Sequence, residues 1–308
     1  MTVVTGRSGR RIATSVAPVA FVLLWSTGFV GAKYGLPYAE PFTFLTVRLA
    51  IAGTVLAAST ALTRSAWPAS ARQYRHAAVA GLLLHAGYLG GVFFAIAHGL
   101  PASVAAVVVS LQPVLTAALA VRLLGERLVA RQWLGLAVGV GGVGLVLAPG
   151  LARAANGAGA LPGIAVAACL VALAAGTAGT LYQKAHGDAI PLLSGTAVQY
   201  AAAAAVLLIA AGATESRDIR WTGQFIGALA WLVVMLSIGA VLLLLVLLRR
   251  GSASGVSSLF YLVPPATAIE AYLLFGEKLP ALSLIGVLLT AVGVALVLRS
   301  PGRSARRT

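Results

Sequence analysis

Apolar runs of about 20 residues, separated by Pro, Gly or charged residues, recur along the whole 308-residue chain. A helix needs about 20 residues to cross about 30 Å of hydrocarbon, where only helices and closed barrels satisfy their own backbone polar groups. Hydrophobic residues make up 60% of the chain and charged residues 9%, whereas roughly a quarter of the residues in soluble domains are charged. The sequence therefore predicts an all-α membrane protein.

Ten of these runs have the length of a transmembrane helix. We number them as predicted spans 1 to 10, with these approximate bounds: Val16 to Tyr34, Pro41 to Leu62, Ala77 to His98, Ala102 to Val121, Gln132 to Ala148, Leu161 to Gln183, Leu192 to Gly212, Thr222 to Leu248, Ala253 to Phe275 and Ala281 to Leu298. The predicted organisation is a basic tail at 1–15, a first half at 16–148, a connecting loop at 149–160, a second half at 161–298 and a basic tail at 299–308.

The positions of the basic residues predict the orientation. With the N-terminus in the cytoplasm, 16 of the 22 Lys and Arg residues fall on the cytoplasmic side, five fall on the other side, and Arg48 lies inside a span. Because cytoplasmic loops carry the excess of Lys and Arg, we expect a multi-pass protein of the plasma (inner) membrane with both termini cytoplasmic. The net charge of +15 is then due to topology and to contact with anionic membrane lipid. No nucleic-acid partner is expected.

A fixed offset of 151 residues relates the two halves. The pattern P-x(11)-G-E-[RK]-L begins at Pro113 and again at Pro264, and the same offset relates Lys33 to Lys184. Because Lys, Pro and Glu are scarce in this chain, we interpret the register as an internal duplication. Each copy contains five spans, an odd number, so the second copy would enter the membrane in the opposite orientation. Inverted repeats of this kind are typical of secondary transporters.

Several segments resemble the drug/metabolite transporter superfamily, specifically its EamA-type members with ten helices. They are WSTGFVGAKYG from Trp25, PFTFLTVRLAIAG from Pro41, and the sequences LLGERL and LLFGEKL that end the duplicated pattern. The resemblance covers nearly the whole chain. It implies two EamA repeats, cytoplasmic termini and a carrier of small metabolites, commonly an exporter, and it does not fix the substrate.

Two charged residues lie well inside predicted spans, Arg48 in span 2 and Glu270 in span 9. An ionisable residue at mid-membrane costs about 2.5 to 3.5 kcal/mol on insertion scales and usually faces the bundle interior. Both are expected at similar depths, about 8 to 10 Å below the outer ends of their helices. One hypothesis is that they pair, or jointly face an outward cavity where Arg48 attracts a substrate carboxylate and Glu270 takes a proton or a substrate amine. The alternative is that each snorkels to the surface or makes a structural bond.

Three prolines, Pro113, Pro264 and Pro265, are predicted to lie inside spans 4 and 9, where each removes a backbone hydrogen bond. Kinks at these positions would free carbonyls that, together with Gln112 and Tyr261, line a polar cavity near the midplane. The alternative is bending for packing alone.

Aromatic and amide side chains inside the spans are candidates for cavity walls, since rings with polar tips suit amphipathic organic substrates. They are Trp25, Tyr88, Tyr182, Gln183, Gln199, Tyr200 and Trp231. His85, in the middle of span 3, is either a proton relay or a partner for a neighbouring helix. Lys33 and Lys184 are candidate gate or anchor residues.

Several other sites are not expected. The single cysteine, Cys169, excludes a disulfide framework, and we expect no metal site and no cofactor. No Walker loop, paired catalytic carboxylates or nucleophile elbow occurs, which argues against an ATP-driven pump and against an enzyme. Small-residue faces around Gly135 and Gly286 favour close helix packing, within the fold or at a homodimer seam.

The sequence thus predicts a secondary transporter that exports or exchanges small organic metabolites, amino acids or related compounds, by alternating access. Protons are the candidate coupling ion. One alternative is a lipid-linked or nucleotide-sugar translocator of the same superfamily, which would need a wider or more basic cavity. The others are a membrane-embedded enzyme and a non-transporting scaffold.

Overall fold

The computed structural model describes residues 7–123, 128–155, 162–250, 256, 258–276 and 280–298. Within these ranges the chain is almost entirely helical, and the strand-like pairing there is an isolated bridge between Ala39 and Ile219. Six described helical stretches are long and apolar enough to span a membrane, and shorter apolar helices accompany them. One of the six, Ala102–Leu119, includes a turn at Ser110. The chain is therefore an all-α membrane protein, as predicted. The count of ten spans stays a prediction.

We number the helices in chain order. They are α1 (Arg7–Gly35), α2 (Pro41–Leu62), α3 (Ala71–Ala97), α4 (Ala102–Val109), α5 (Gln112–Leu123), α6 (Ala130–Ala155), α7 (Gly163–His186), α8 (Leu192–Thr214), α9 (Gly223–Arg249), α10 (Val263–Phe275) and α11 (Ala281–Leu298). The bounds of α2 and α11 are those of predicted spans 2 and 10.

Two helices contain a π-helical segment. The segment in α3 is Leu82–Gly87 and the segment in α9 is Leu232–Ala240. Residues 82–87 shifted by 151 become 233–238, which lie within the second segment. The offset found in the sequence therefore also relates the two π segments. Such wider turns occur frequently at functional sites.

The prolines start new helical segments rather than bending continuous ones. A turn at Ser110 separates α4 from α5, and Pro113 lies in the first turn of α5. Pro264 and Pro265 lie in the first turn of α10, which follows a 3-10 helix at Ser258–Leu262. A first turn suits proline because its missing N–H has no helical partner there and its φ is already helical. The predicted placement of these prolines in helix interiors was therefore wrong, and the predicted kinks stay a prediction.

Two segments predicted to be irregular are helical. α1 begins at Arg7, within the predicted basic tail, and α6 continues through Pro149 to Ala155, well into the predicted loop at 149–160. Arg supplies three of the nine residues at 7–15, and Ala, Leu and Arg supply five of the seven at 149–155. These are strong helix formers, and adding a residue to an existing helix is easier than starting one. Charged residues and proline therefore do not limit these two helices, and predicted span 1 began too late while predicted span 5 ended too early.

A close glycine contact joins α6 to α11. A Cβ atom at Gly142 would lie 2.6 Å from the carbonyl oxygen of Gly286, and one at Gly293 would lie 2.5 Å from that of Gly135. Larger residues at these positions would push the two backbones apart. In this structure the predicted small-residue faces serve packing within the chain.

Two loops are joined by hydrogen bonds to a carboxylate from each loop. We call this arrangement the clasp (Glu40 with Ser216, and Glu215 with Phe42 and Thr43). Glu40 Oε2 accepts hydrogen bonds from the backbone N–H and the hydroxyl of Ser216, at 2.7 and 2.8 Å. Glu215 accepts from the backbone N–H groups of Phe42 and Thr43, both at 2.7 Å. Those N–H groups lie in the first turn of α2, where no helical acceptor exists for them. The clasp thus fixes the start of α2 to the end of α8.

Candidate functional site

A cavity lies where α1, α2 and α3 of the first half meet α7 and α9 of the second, with α5 and the 3-10 helix at its border. The described lining is mostly Leu, Val, Phe and Gly, and its members with polar atoms in their side chains are Trp25, Arg48, His85, Tyr88, Gln112 and Thr180. The volume open to the centres of water molecules is about 40 Å³. This is room for a few water molecules. A metabolite would therefore enter only if the walls moved apart.

Arg48 brings a positive charge into the cavity wall. Its side chain is 2% exposed, its Nε–H donates to Ser237 Oγ at 2.8 Å, and its guanidinium carbon lies 5.9 Å from the centre of the Phe93 ring. No described group accepts a hydrogen bond from either terminal nitrogen. Burying a cation is costly unless its N–H groups donate hydrogen bonds to acceptors. An anion that enters the cavity would supply acceptors for these terminal nitrogens.

His85 also lines the cavity, and its own partners lie on α8. Its Nε2 lies 3.2 Å from Gln199 Oε1, and the amide of Gln199 donates to Gln183 Oε1 at 3.1 Å. The His85 ring contacts the Tyr200 ring edge to face, with 4.7 Å between centres. His85 thus lines the cavity and also bonds a neighbouring helix, which was one of its two predicted roles. Its role as a proton relay stays a prediction.

The polar contacts of Arg48 and Gln199 are arranged crosswise. These two residues are separated by the 151-residue offset, and both are buried. Arg48 on α2 bonds Ser237 in the π segment of α9, whereas Gln199 on α8 bonds His85 in the π segment of α3. An inverted duplication would produce this exchange, because each half would then hold the widened helix of the other. The inverted repeat itself stays a prediction.

Gln112 closes the cavity on the side of α7. Its amide nitrogen donates to Thr180 Oγ1 at 2.8 Å and to the Gly176 carbonyl oxygen at 3.3 Å. This approach depends on glycine, because a Cβ atom at position 176 would lie 2.8 Å from the Tyr88 ring and 3.0 Å from the Gln112 side-chain oxygen. Gln112 and Tyr88 were both predicted as cavity residues, and the structure brings them together at Gly176.

Aromatic rings form the wall contributed by α1. Trp25 packs edge to face against Phe260, with 5.0 Å between ring centres, and lies 6.4 Å from the Tyr88 ring. Both Trp25 and Phe260 line the cavity. The side chain of Tyr261, another predicted wall residue, lies outside the part of the chain that the structure describes.

Glu270 does not share the cavity with Arg48. Its Oε1 accepts a hydrogen bond of 2.7 Å from Ser26 Oγ on α1, and its Oε2 is buried without a partner among the described groups. The described lining residues do not include Glu270. The hypothesis of a direct pair was wrong in this conformation, because each residue bonds a serine on a different helix. A common outward cavity stays a prediction.

Tyr182 is also absent from the described wall of the cavity. Its hydroxyl lies 2.7 Å from His76 Nδ1 on α3, and its ring stacks on His186 with 4.5 Å between centres. Gln183, one residue later, is buried and is not among the described lining residues. It bonds Gln199, which in turn contacts the lining residue His85. The sequence indicated the ring and the amide correctly as interior groups, but the rotation of α7 decides which of its faces meets the cavity.

The two register-related lysines have different contacts. The Lys33 ammonium lies 4.4 Å from the centre of the Phe275 ring, whereas Lys184 donates to the Leu248 carbonyl oxygen at 2.9 Å. Each joins its helix to another one near a helix end, which fits the anchor interpretation. A gating role stays a prediction.

Two polar residues of the site were not predicted. Ser237 is the sole polar side chain in the run from Val233 to Leu248, and this isolation was a usable signal. Thr180 carried none, because hydroxyls that bond their own helix are common in apolar helices.

Comparison with known proteins identifies the family of this chain. The sequence profile of the EamA-like transporter family matches residues 15–148 and 162–299. The chain belongs to the EamA-like transporter family. The resemblance to the drug/metabolite transporter superfamily is thereby confirmed, and membership points to a transporter rather than to an enzyme.

Relatives of this EamA-like protein extend over most of its length. YvbV of Bacillus subtilis (strain 168), described as an uncharacterized transporter, is 27% identical over 292 residues, which cover 92% of this chain and 91% of YvbV. YedA of Escherichia coli (strain K12), described as an uncharacterized inner membrane transporter, is 27% identical over 283 residues, or 90% of this chain and 88% of YedA. A protein of known crystal structure superimposes with a TM-score of 0.69 at 22% identity, covering 91% of this chain and 94% of its own, and so shares the fold.

Proposed function

We propose that this EamA-like protein is a secondary transporter that exports or exchanges small organic metabolites by alternating access. The observation that carries the proposal is the cavity between the two halves, with the buried Arg48 in its wall and no described acceptor for the terminal nitrogens of that residue. A small number of well-placed polar groups in an apolar pocket is typical of small-molecule sites. Amino acids and related carboxylates are the first substrate classes to test.

Three features support alternating access. The cavity has room for only a few water molecules in this conformation, so a metabolite requires a second conformation with a wider site. New helical segments begin beside Pro113 and Pro264, and these register-related positions are the candidate hinges. The crosswise contacts of Arg48 and Gln199 are those that exchangeable halves would make.

Orientation and coupling are part of the same proposal. The excess of basic residues in alternate loops favours cytoplasmic termini, and the inner membrane location in the name of YedA favours the same membrane for this protein. Glu270 is the candidate proton site, because it is the acidic residue within a predicted span and one of its oxygens lacks a described partner.

The test is transport by the purified protein in lipid vesicles. Labelled amino acids, other carboxylates and a nucleotide sugar are screened for uptake and for exchange against internal substrate, with and without a pH gradient. We expect saturable flux of a small carboxylate that is lost in Arg48→Gln and retained in Arg72→Gln, which removes an exposed arginine.

Each remaining outcome has a defined meaning. Flux of the nucleotide sugar alone would favour the translocator alternative, and flux of nothing, from correctly folded protein, would favour the scaffold. Gradient-driven flux that is unchanged in Glu270→Gln would remove Glu270 from proton coupling and leave transport itself intact.

A further inference from the structure

We infer that the cavity takes a small carboxylate whose remaining body is apolar and uncharged, and that it discriminates against the zwitterionic amino acid of the same shape. This inference rests on the proposed transport function and narrows its substrate class. It follows from the free donors of Arg48, the positions of the acidic residues and the composition of the walls.

The guanidinium of Arg48 is prepared for one carboxylate. Ser237 occupies its Nε–H, and the Phe93 ring stands over it at 5.9 Å. The two terminal nitrogens, without acceptors among the described groups, present parallel N–H bonds in the guanidinium plane. A carboxylate accepts two such bonds at once, and charge-assisted bonds of this type are about twice as strong as neutral ones.

The acidic residues of the chain lie elsewhere. Glu40 and Glu215 form the clasp, Asp188 and Asp218 are exposed, and Glu270 bonds Ser26 and is not among the described lining residues. The other two acids, Glu126 and Glu277, lie outside the described residues, in the sequence ends of the duplicated pattern. Among the residues that the structure describes around the cavity, therefore, no carboxylate is placed to receive an ammonium group.

An amino acid bound through its carboxylate would bring its ammonium group close to Arg48. Burying that second charge without a carboxylate partner would cost more than it returns. Aromatic faces do attract cations, but Trp25 and Phe260 pack edge to face against each other at 5.0 Å, and the guanidinium charge repels a further cation. The Leu and Val side chains of α9 instead suit an apolar body.

The experiment compares four compounds that share an isobutyl group, by calorimetric titration of the full-length protein in detergent. They are 4-methylpentanoate, leucine, isopentylamine and 4-methylpentanamide. We expect 4-methylpentanoate to bind best, and leucine at least about tenfold more weakly, the factor expected when one buried donor lacks an acceptor. The amide and the amine should fail to displace 4-methylpentanoate.

Variants at two residues identify the groups responsible. Arg48→Gln should lose the advantage of the carboxylate over the amide, and Arg48→Lys, which keeps the charge on a differently shaped group, should retain part of it if Arg48→Gln folds poorly. Glu270→Gln should leave the ratio of 4-methylpentanoate to leucine affinity unchanged. A ratio that rises in Glu270→Gln would show that Glu270 holds the ammonium group, and would overturn the inference.

Failure of this inference is distinct from failure of the transport proposal. Tighter binding of leucine or isopentylamine, or binding of none of the four compounds, overturns the substrate class. Vesicle flux of leucine in the same preparation would leave transport standing in either case.

Discussion

Arg48 and Gln199 occupy register-equivalent positions in the two halves, and both are buried against a π segment of the opposite half, yet only Arg48 is charged. On the Gln199 side, neutral groups satisfy each other in a chain from His85 to Gln183. On the Arg48 side, the terminal donors of a cation lack described acceptors. The comparison teaches that positions related by one sequence offset can differ in chemistry, with a buried charge on one side and a satisfied neutral chain on the other.

The largest effect is expected from neutralising the charged side. Arg48→Gln should reduce carboxylate flux by about 30-fold or more, because loss of one partner of a buried ionic contact costs about 2 to 5 kcal/mol. Its thermal stability should change little or rise, since an unpaired buried cation is unfavourable in the free protein. Flux and melting temperature are measured on the same preparation. Equal losses in Arg72→Gln would show a general effect of charge rather than a site.

Breaking the neutral side should affect stability more than binding. Gln199→Leu leaves the His85 nitrogen and the Gln183 amide without their partner, which costs about 1 to 3 kcal/mol for each buried group. Denaturant unfolding in detergent measures the loss. A variant that is as stable as the wild type but has lost carboxylate binding would show that Gln199, too, belongs to the binding site.

A second difference between the halves is residue size at Gly176, because the residue 151 positions earlier is Trp25. Gly176→Ala should destabilise the protein by about 1 to 3 kcal/mol, since its Cβ would stand 2.8 Å from Tyr88 in a packed wall. Gly141→Ala is the matched control, because no atom lies within 4 Å of a Cβ built there. Equal melting temperatures for the two variants would contradict the packing described at Gly176.

The smallest effect concerns the clasp, which sets the level of α2 relative to α8 and hence of Arg48 relative to Gln199. Hydrogen bonds from Ser216 and from the Arg217 backbone lower the pKa of Glu40. A carboxyl with a lowered folded pKa stabilises the fold above the ordinary value of 4.5, and this contribution disappears as the pH falls through the lowered pKa. Glu40→Gln should therefore lose at most about 1 kcal/mol at neutral pH, because Glu40 is close to solvent.

A melting series in pH checks this prediction. The gap between wild type and Glu40→Gln should close in acid, whereas Asp188→Asn, a change of an exposed acid in another loop, should show little gap at neutral pH. A Glu40→Gln gap that widens on acidification would contradict the assigned hydrogen bonds.

Much of the fold was predictable because lipid leaves few choices. Apolar length alone fixed α2 and α11 at both ends, and the isolated Arg48 pointed to the bundle interior before any contact was known. The predicted helix limits were wrong at Pro113, at Pro264 and in the loop at 149–160. At the two prolines a new helical segment begins, and in the loop the helix continues. Whether a helix continues depends on hydrogen bonds with neighbouring turns, which composition does not describe.

The sequence by itself determined that this chain is an all-α membrane protein of the drug/metabolite transporter type, because hydropathy and a duplicated motif are properties of the chain alone. Only the tertiary structure decided which interior polar groups meet. Helix rotation turned Tyr182 toward His76, separated Glu270 from Arg48, and brought Ser237 to the guanidinium. Those partnerships depend on angles between helices that no single helix encodes, and they leave the terminal nitrogens of Arg48 without an acceptor among the described residues.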